Sequence, residues 1–148
     1  MIKLPYKKRY LALTVINLLA LVISIYLATL HFKPDLSSVC EISARWNCDI
    51  VNKSTYSLFL GIPVSVLGAA TYLSLLAFSI RGFFRDQKKL IPILCLCLTG
   101  AVGFALYLTG VEAFILNTFC IFCVSQQALI LLEYGIALSL FKDIKSKL

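Results

Sequence analysis

The sequence predicts an all-α membrane protein, a four-transmembrane-helix bundle with a long extracytoplasmic loop between its first and second helices. Three observations predict it. Of 148 residues, 60% are hydrophobic and only 14% are charged, against about a quarter charged in a soluble domain. The apolar residues fall into four runs, each long enough for the roughly 20 residues that cross a hydrocarbon core. Most basic residues gather where alternate runs meet, the asymmetry that the positive-inside rule reads. Backbone N–H and C=O groups in lipid must pair within their own segment, which makes the runs helices. Residues 1–148 are taken as a single domain.

The first helix, about residues 10–30, carries no charge and follows Lys3, Lys7, Lys8 and Arg9. Its apolar stretch is longer than that of a cleaved signal peptide, and no small-residue cleavage site ends it. Asn17 within it suits a hydrogen bond between helices. The second helix, about 58–80, has Pro63 near its start, where proline fits a first turn. The third, about 90–111, holds Gly100, Gly103 and Gly110, which suggest close packing, and two cysteines, Cys95 and Cys97. Two residues apart, these thiols diverge by roughly 200° around a helix and cannot join, so they read as small packing residues. The fourth helix, about 118–141, contains one charge, Glu133. Intramembrane acids are functional suspects, but this one sits near the cytoplasmic end, where it could snorkel or pair, and a structural role is favoured.

Eleven of the fourteen Lys and Arg residues lie before the first helix, between the second and third, or after the fourth. The remaining three are Lys33, Arg45 and Lys53. Both termini are therefore expected in the cytoplasm. The net charge of +7 follows from topology and calls for no nucleic-acid partner, only a lipid bilayer whose anionic headgroups the basic residues meet. The closing Ser146-Lys147-Leu148 matches a peroxisomal signal, but a basic tail after a membrane helix explains it better.

This topology puts four cysteines at one face of the membrane. Cys40 and Cys48 lie in the loop of about residues 31–57, made polar and turn-prone by Pro34, Asp35, Ser37, Ser38, Asn47, Asp49 and Asn52. Within it Glu41 to Trp46 could form a short surface helix. The pair either fixes the loop as a disulfide or swings as a redox couple between a soluble partner and Cys120. Cys120-Ile121-Phe122-Cys123 opens the fourth helix behind Asn117 and Thr118, either of which could cap it. The positive end of a helix dipole favours a thiolate there. Redox chemistry, a structural disulfide and half a metal site all fit a C-x-x-C. A zinc site would want four Cys or His ligands, and His31, the sole histidine, sits at another helix end. No metal is expected. Surrounded by Phe114, Phe119 and Phe122 at the bilayer edge, the pair is placed to meet a lipid-soluble quinone.

The chain resembles the bacterial vitamin K epoxide reductase homologues, functional counterparts of DsbB. The resemblance runs through Cys40, through Cys48 to Ser54, through Tyr56-Ser57 and Phe59-Leu60-Gly61-Ile62-Pro63-Val64, then Gly68 and Cys120-Ile121-Phe122-Cys123. It covers nearly the whole chain. It implies a quinone-dependent thiol–disulfide oxidoreductase in the bacterial inner membrane, with Cys40, Cys48, Cys120 and Cys123 catalytic. Electrons would pass from a reduced thioredoxin-fold, DsbA-like partner to Cys40–Cys48, then to Cys120–Cys123, then to ubiquinone or menaquinone. Cys40 would form the mixed disulfide with the partner, Cys48 would exchange with Cys120, and Cys123 would engage the quinone. Ser54, Phe119, Phe122 and Gln127 are expected near the quinone with Cys123. Gln127 stands where many relatives, including the animal enzymes, have a tyrosine, which weakens the alternative of a vitamin K quinone or epoxide reductase. Many bacterial relatives carry a fused thioredoxin-like domain; here the partner is expected to be a separate protein. From another class, a small four-helix transporter with Glu133 as coupling acid and structural disulfides remains.

Overall fold

The computed structural model describes residues 4–33, 35, 37–85 and 88–146. Lys3, Pro34, Lys147 and Leu148, which entered the sequence reading, lie outside these residues. Among the described residues, four helices are long and apolar enough to cross a membrane: Tyr6–Phe32, Val64–Phe84, Lys88–Leu116 and Ile121–Lys145. They belong to α1 (Leu4–Phe32), α3 (Val64–Phe84), α4 (Ile91–Val111) and α5 (Ile121–Lys145). A five-residue helix, α2 (Cys48–Asn52), lies in the long loop. Exposed apolar side chains such as Leu11, Val15, Leu18 and Val22 run along α1, as expected of a surface that meets hydrocarbon.

Three local departures from the sequence reading shape the end of the bundle that holds the cysteines. Glu41 to Trp46 does not form a helix. Strand β1 (Glu41–Ser43) pairs antiparallel with β2 (Trp46–Asn47), and the ribbon is fastened to the chain before α5. Asn47 N–H donates to the Phe119 carbonyl at 3.0 Å, and Phe119 N–H to that of Arg45 at 2.8 Å. The helix starts at Cys48 because Asn47 caps it, its Oδ1 accepting from the amides of Asp49 and Ile50 at 2.9 and 3.2 Å. Asn47→Ala is expected to cost about 1 kcal/mol of local stability, roughly fivefold in an opening equilibrium. Faster hydrogen exchange at Asp49 and Ile50 measures it, and unchanged exchange would contradict it.

The second membrane helix starts at Val64, not near 58. Leu58–Phe59 (β3) and Ile62–Pro63 (β4) form a tight hairpin whose turn residues Leu60 and Gly61 both have positive φ, 53° and 82°. That combination is the two-residue turn that matches strand twist. Pro63 (φ −57°, ψ 131°) is the capping residue just ahead of α3 and not part of its first turn. The third departure follows α4, which continues through a π-helical turn, Glu112–Leu116, to a left-handed Asn117 (φ 51°). Asn117 therefore ends one helix and does not begin the next. Thr118 likewise does not cap α5; Cys120 does, its Sγ accepting from the Cys123 amide.

Helix α1 packs against α3 and α5, and α4 against α5. Close approach occurs on α3, where a side chain at Gly82 would run into the Tyr10 ring and one at Gly68 would meet Ser24 Oγ at 3.1 Å. The packing role expected of Gly100, Gly103 and Gly110 fails, since a Cβ at any of them meets nothing within 4 Å. Polar links join the helices: Thr14 to Ser79 (3.1 Å), Gln126 to Ser24 (2.6 Å) and Thr99 to Tyr134 (3.2 Å). At the end of the bundle away from the cysteines, Arg9 pairs with Asp143 at 2.5 Å. Glu133 does not snorkel. It is 1% exposed and faces Asn17 of α1, whose Nδ2 donates to the Leu13 carbonyl. Cys95 is half-buried against core residues, as a packing residue should be, whereas Cys97 is exposed.

Candidate active site

The ribbon and α2 bring Cys40 and Cys48 together, with Cα atoms 5.5 Å apart and the sulfurs joined. Both are buried among Leu27, Leu30 and Val51. The capped start of α5 adds Cys120, and the three sulfurs of Cys40, Cys48 and Cys120 lie within 4.8 Å of one another. Two of the three are bonded to each other, which withdraws them from metal ligation. The geometry suits thiol–disulfide exchange, in which a thiolate attacks one sulfur of a disulfide.

The loop is fastened where it carries the pair. The Asp49 carboxylate accepts the Ser38 amide at 3.1 Å, the Tyr26 hydroxyl accepts the Val39 amide at 3.2 Å, and Asn52 Nδ2 donates to the Leu27 carbonyl at 2.8 Å. No swing is needed for the pair to reach Cys120. Approach from outside the bundle is a different matter: Cys40 is 1% exposed, while its neighbours Val39 and Ile42 are 81% and 68% exposed. Access to Cys40 requires a local opening beneath an apolar surface patch.

Cys123, one turn into α5, has its amide 3.4 Å from Cys120 Sγ. A hydrogen bond from the Cys123 thiol holds the Cys120 thiol below the ordinary thiol range, outweighing the opposing effect of burial. The thiolate of Cys120 therefore persists to lower pH than that of a free cysteine. Cys123→Ala removes the donor and is expected to move the pH midpoint of Cys120 alkylation upward, measured by peptide mass spectrometry. An unmoved midpoint would contradict this account of the thiol.

Cys123 also borders a cavity of about 250 Å³ that α3, α4 and α5 enclose beside the turn at Ser54. Its polar groups include Ser54, Tyr56, Gln126 and Gln127 amid mostly apolar walls. An apolar pocket with a few convergent polar groups is the usual form of a small-molecule site. A flat ring with carbonyl oxygens could accept from the Gln127 amide N–H and the Tyr56 hydroxyl at its wall, and a hydrocarbon tail would find lipid nearby. Ser54 Oγ donates to the Val51 carbonyl at 2.8 Å, which leaves its lone pairs to the cavity, and Gln127 Oε1 accepts from Thr109 at 3.4 Å. Two expected members are absent. Phe119 stacks near Trp46 with ring centroids 5.6 Å apart, and Phe122 meets Tyr26 edge-on at 5.2 Å. Neither lines the cavity, because the extended bridge at Phe119 and the first turn of α5 direct both rings toward α1 and the loop.

Sequence reasoning missed Glu112. It is 3% exposed, lines the cavity together with Cys123, and accepts the Cys120 amide on Oε2 at 3.2 Å. Its backbone carbonyl takes the amides of Asn117 and Thr118. It falls between two apolar runs, where a charge at a helix end is ordinarily solvated and draws no notice. The available signal was its place as the sole acid between the third and fourth runs, eight residues before Cys120.

Among known families, the model of the Vitamin K epoxide reductase family matches residues 11–138, a span that includes all four cysteines of the site. No curated protein matches the chain.

Proposed function

Because this chain belongs to the vitamin K epoxide reductase family, we propose that it is a quinone-dependent, disulfide-generating thiol oxidoreductase. A membrane-embedded, quinone-linked redox enzyme is what membership implies. The electron path is the finer reading. A reduced thioredoxin-fold partner of the DsbA kind gives its electrons to Cys40–Cys48, the resulting dithiol reduces Cys120–Cys123, and that pair reduces ubiquinone or menaquinone. The observation that carries the path is the Cys120 sulfur within 4.8 Å of both sulfurs of the loop disulfide, with Cys123 one turn on at the cavity wall.

Each residue has a task within this reading. Cys40, under the exposed Val39 and Ile42, forms the mixed disulfide with the partner. Cys48 exchanges with Cys120. Cys123 meets the quinone, which accepts two electrons and two protons when bound. Gln127 orients the ring by donating its amide N–H to a ring oxygen, and Ser54, its hydroxyl hydrogen held by the Val51 carbonyl, borders the ring. The distribution of Lys and Arg supports cytoplasmic termini with the cysteines on the other side, where thiols oxidise readily, and a bacterial inner membrane fits that arrangement.

The test is the decay of quinone absorbance when purified protein is supplied with a dithiol donor. Steady turnover is expected. Its absence in folded protein with both ubiquinone and menaquinone analogues would overturn the proposal. Reduction of vitamin K quinone or its epoxide is the second reading. Gln127 at the cavity disfavours it, since an amide lacks a phenol's acidity. A transporter driven by Glu133 predicts a different pattern: Glu133→Gln would stop it and Cys123→Ser would not.

A further inference from the structure

We propose that Glu112 is the proton acceptor of the Cys120–Cys123 dithiol, taking the Cys123 proton as the pair is oxidised and delivering it to the quinone oxygen in the adjoining cavity. The inference rests on the quinone-reducing reading above and adds a catalytic group to it.

Four observations converge on this carboxyl. It is 3% exposed at the end of a membrane-spanning helix, and the ion pairs among the described residues, Arg9 with Asp143 and Lys53 with Asp49, do not reach it. An acid buried without a cation is costly, so packing alone would favour an apolar residue. A π-helical turn begins at Glu112, a local distortion of a kind frequent at functional sites. Its Oε2 accepts the Cys120 amide at 3.2 Å and its carboxyl borders the same cavity as Cys123, so it stands beside both halves of the dithiol. Finally, the remaining polar residues at the cavity are hydroxyls, phenols, amides and Cys123 itself. None of these but the cysteine is a base near neutral pH, and the cysteine is the group that must lose the proton.

The chemistry balances. Forming the Cys120–Cys123 bond releases two electrons and two protons, and both electrons pass to the quinone, which as quinol holds two more protons. The Cys123 proton travels through Glu112 to the nearer oxygen. The Cys120 proton leaves to water at the loop end of the bundle, and water supplies the second quinol proton. Cys123 packs against the apolar cluster of Leu27, Leu30 and Val51, and Glu112 lines the cavity beside it, placed to take the first proton.

Glu112→Gln preserves size and an acceptor for the Cys120 amide but cannot carry a proton. Pre-reduced protein is mixed anaerobically with a short-chain ubiquinone analogue, and the infrared difference between dithiol and disulfide forms is recorded without quinone. Glu112→Gln is expected to slow the single turnover by about 10²-fold and to erase a carboxyl band present in the wild-type difference spectrum. Glu112→Asp, which keeps a carboxyl, should restore much of the rate and, with the wild-type spectrum, decides the matter if the glutamine variant does not fold. A Glu112→Gln rate about equal to wild type, or a wild-type spectrum with no carboxyl change, would overturn the assignment. Wild-type protein that shows the carboxyl band but reduces no quinone would sink the quinone reading alone.

Discussion

Cys123→Ser is expected to lower quinone reduction by several orders of magnitude, the scale of loss seen when an enzyme loses its nucleophile. The serine keeps a hydroxyl that can still donate to Cys120 Sγ, so the Cys120 thiol retains the hydrogen bond that holds its pKa down. Cys123 is outside the loop disulfide and half-buried, so the fold should persist and Cys40–Cys48 should stay closed. The loss would then be one of electron transfer and not of structure. Comparison with Cys123→Ala separates the two duties of this thiol, since only alanine should also shift Cys120 alkylation. Quinone turnover close to wild type in Cys123→Ser would remove this residue from the electron path.

The second large effect concerns the internal step. In a Cys40→Ser, Cys123→Ser double variant, Cys48 and Cys120 each lack their ordinary redox partner while their sulfurs lie within 4.8 Å. Bond formation needs about 2 Å, a distance that side-chain rotation and a small backbone adjustment can close. Mild oxidation is expected to link Cys48 to Cys120 in nearly all molecules, detected as a cross-linked peptide pair under non-reducing conditions. Cys48 and Cys120 that both stay free, or that cap with a small thiol, would mean that the loop pair and the C-x-x-C do not communicate.

Much of this molecule is legible in its sequence because lipid imposes simple rules. Long uncharged runs such as Tyr10 to Leu30 leave the backbone no choice but helix, so four spans could be read without further information. Cysteine spacing with topology brought Cys40, Cys48, Cys120 and Cys123 to one end. What escaped depended on backbone geometry that composition does not encode. Leu60 at positive φ is an unusual choice for a turn, and so the hairpin ahead of α3 read as helix. Asn47 looked like a loop residue, yet its cap moved the short helix from 41–46 to 48–52. Phe119 and Phe122 flank the C-x-x-C in sequence, but the start of α5 points their rings away from the cavity. Glu112 was hidden for the opposite reason. A charge between two spans is ordinarily solvated, and only the π-helical turn that follows α4 carries this one inside.

The central claim is that two cysteine pairs form one connected path ending at a quinone. The most direct measurement reduces all four cysteines, removes the reductant, adds excess quinone without oxygen, and counts quinol together with remaining thiols. A connected path predicts two quinols per chain, with Cys40–Cys48 and Cys120–Cys123 both closed. One quinol per chain, with Cys40 and Cys48 still free thiols, would contradict it.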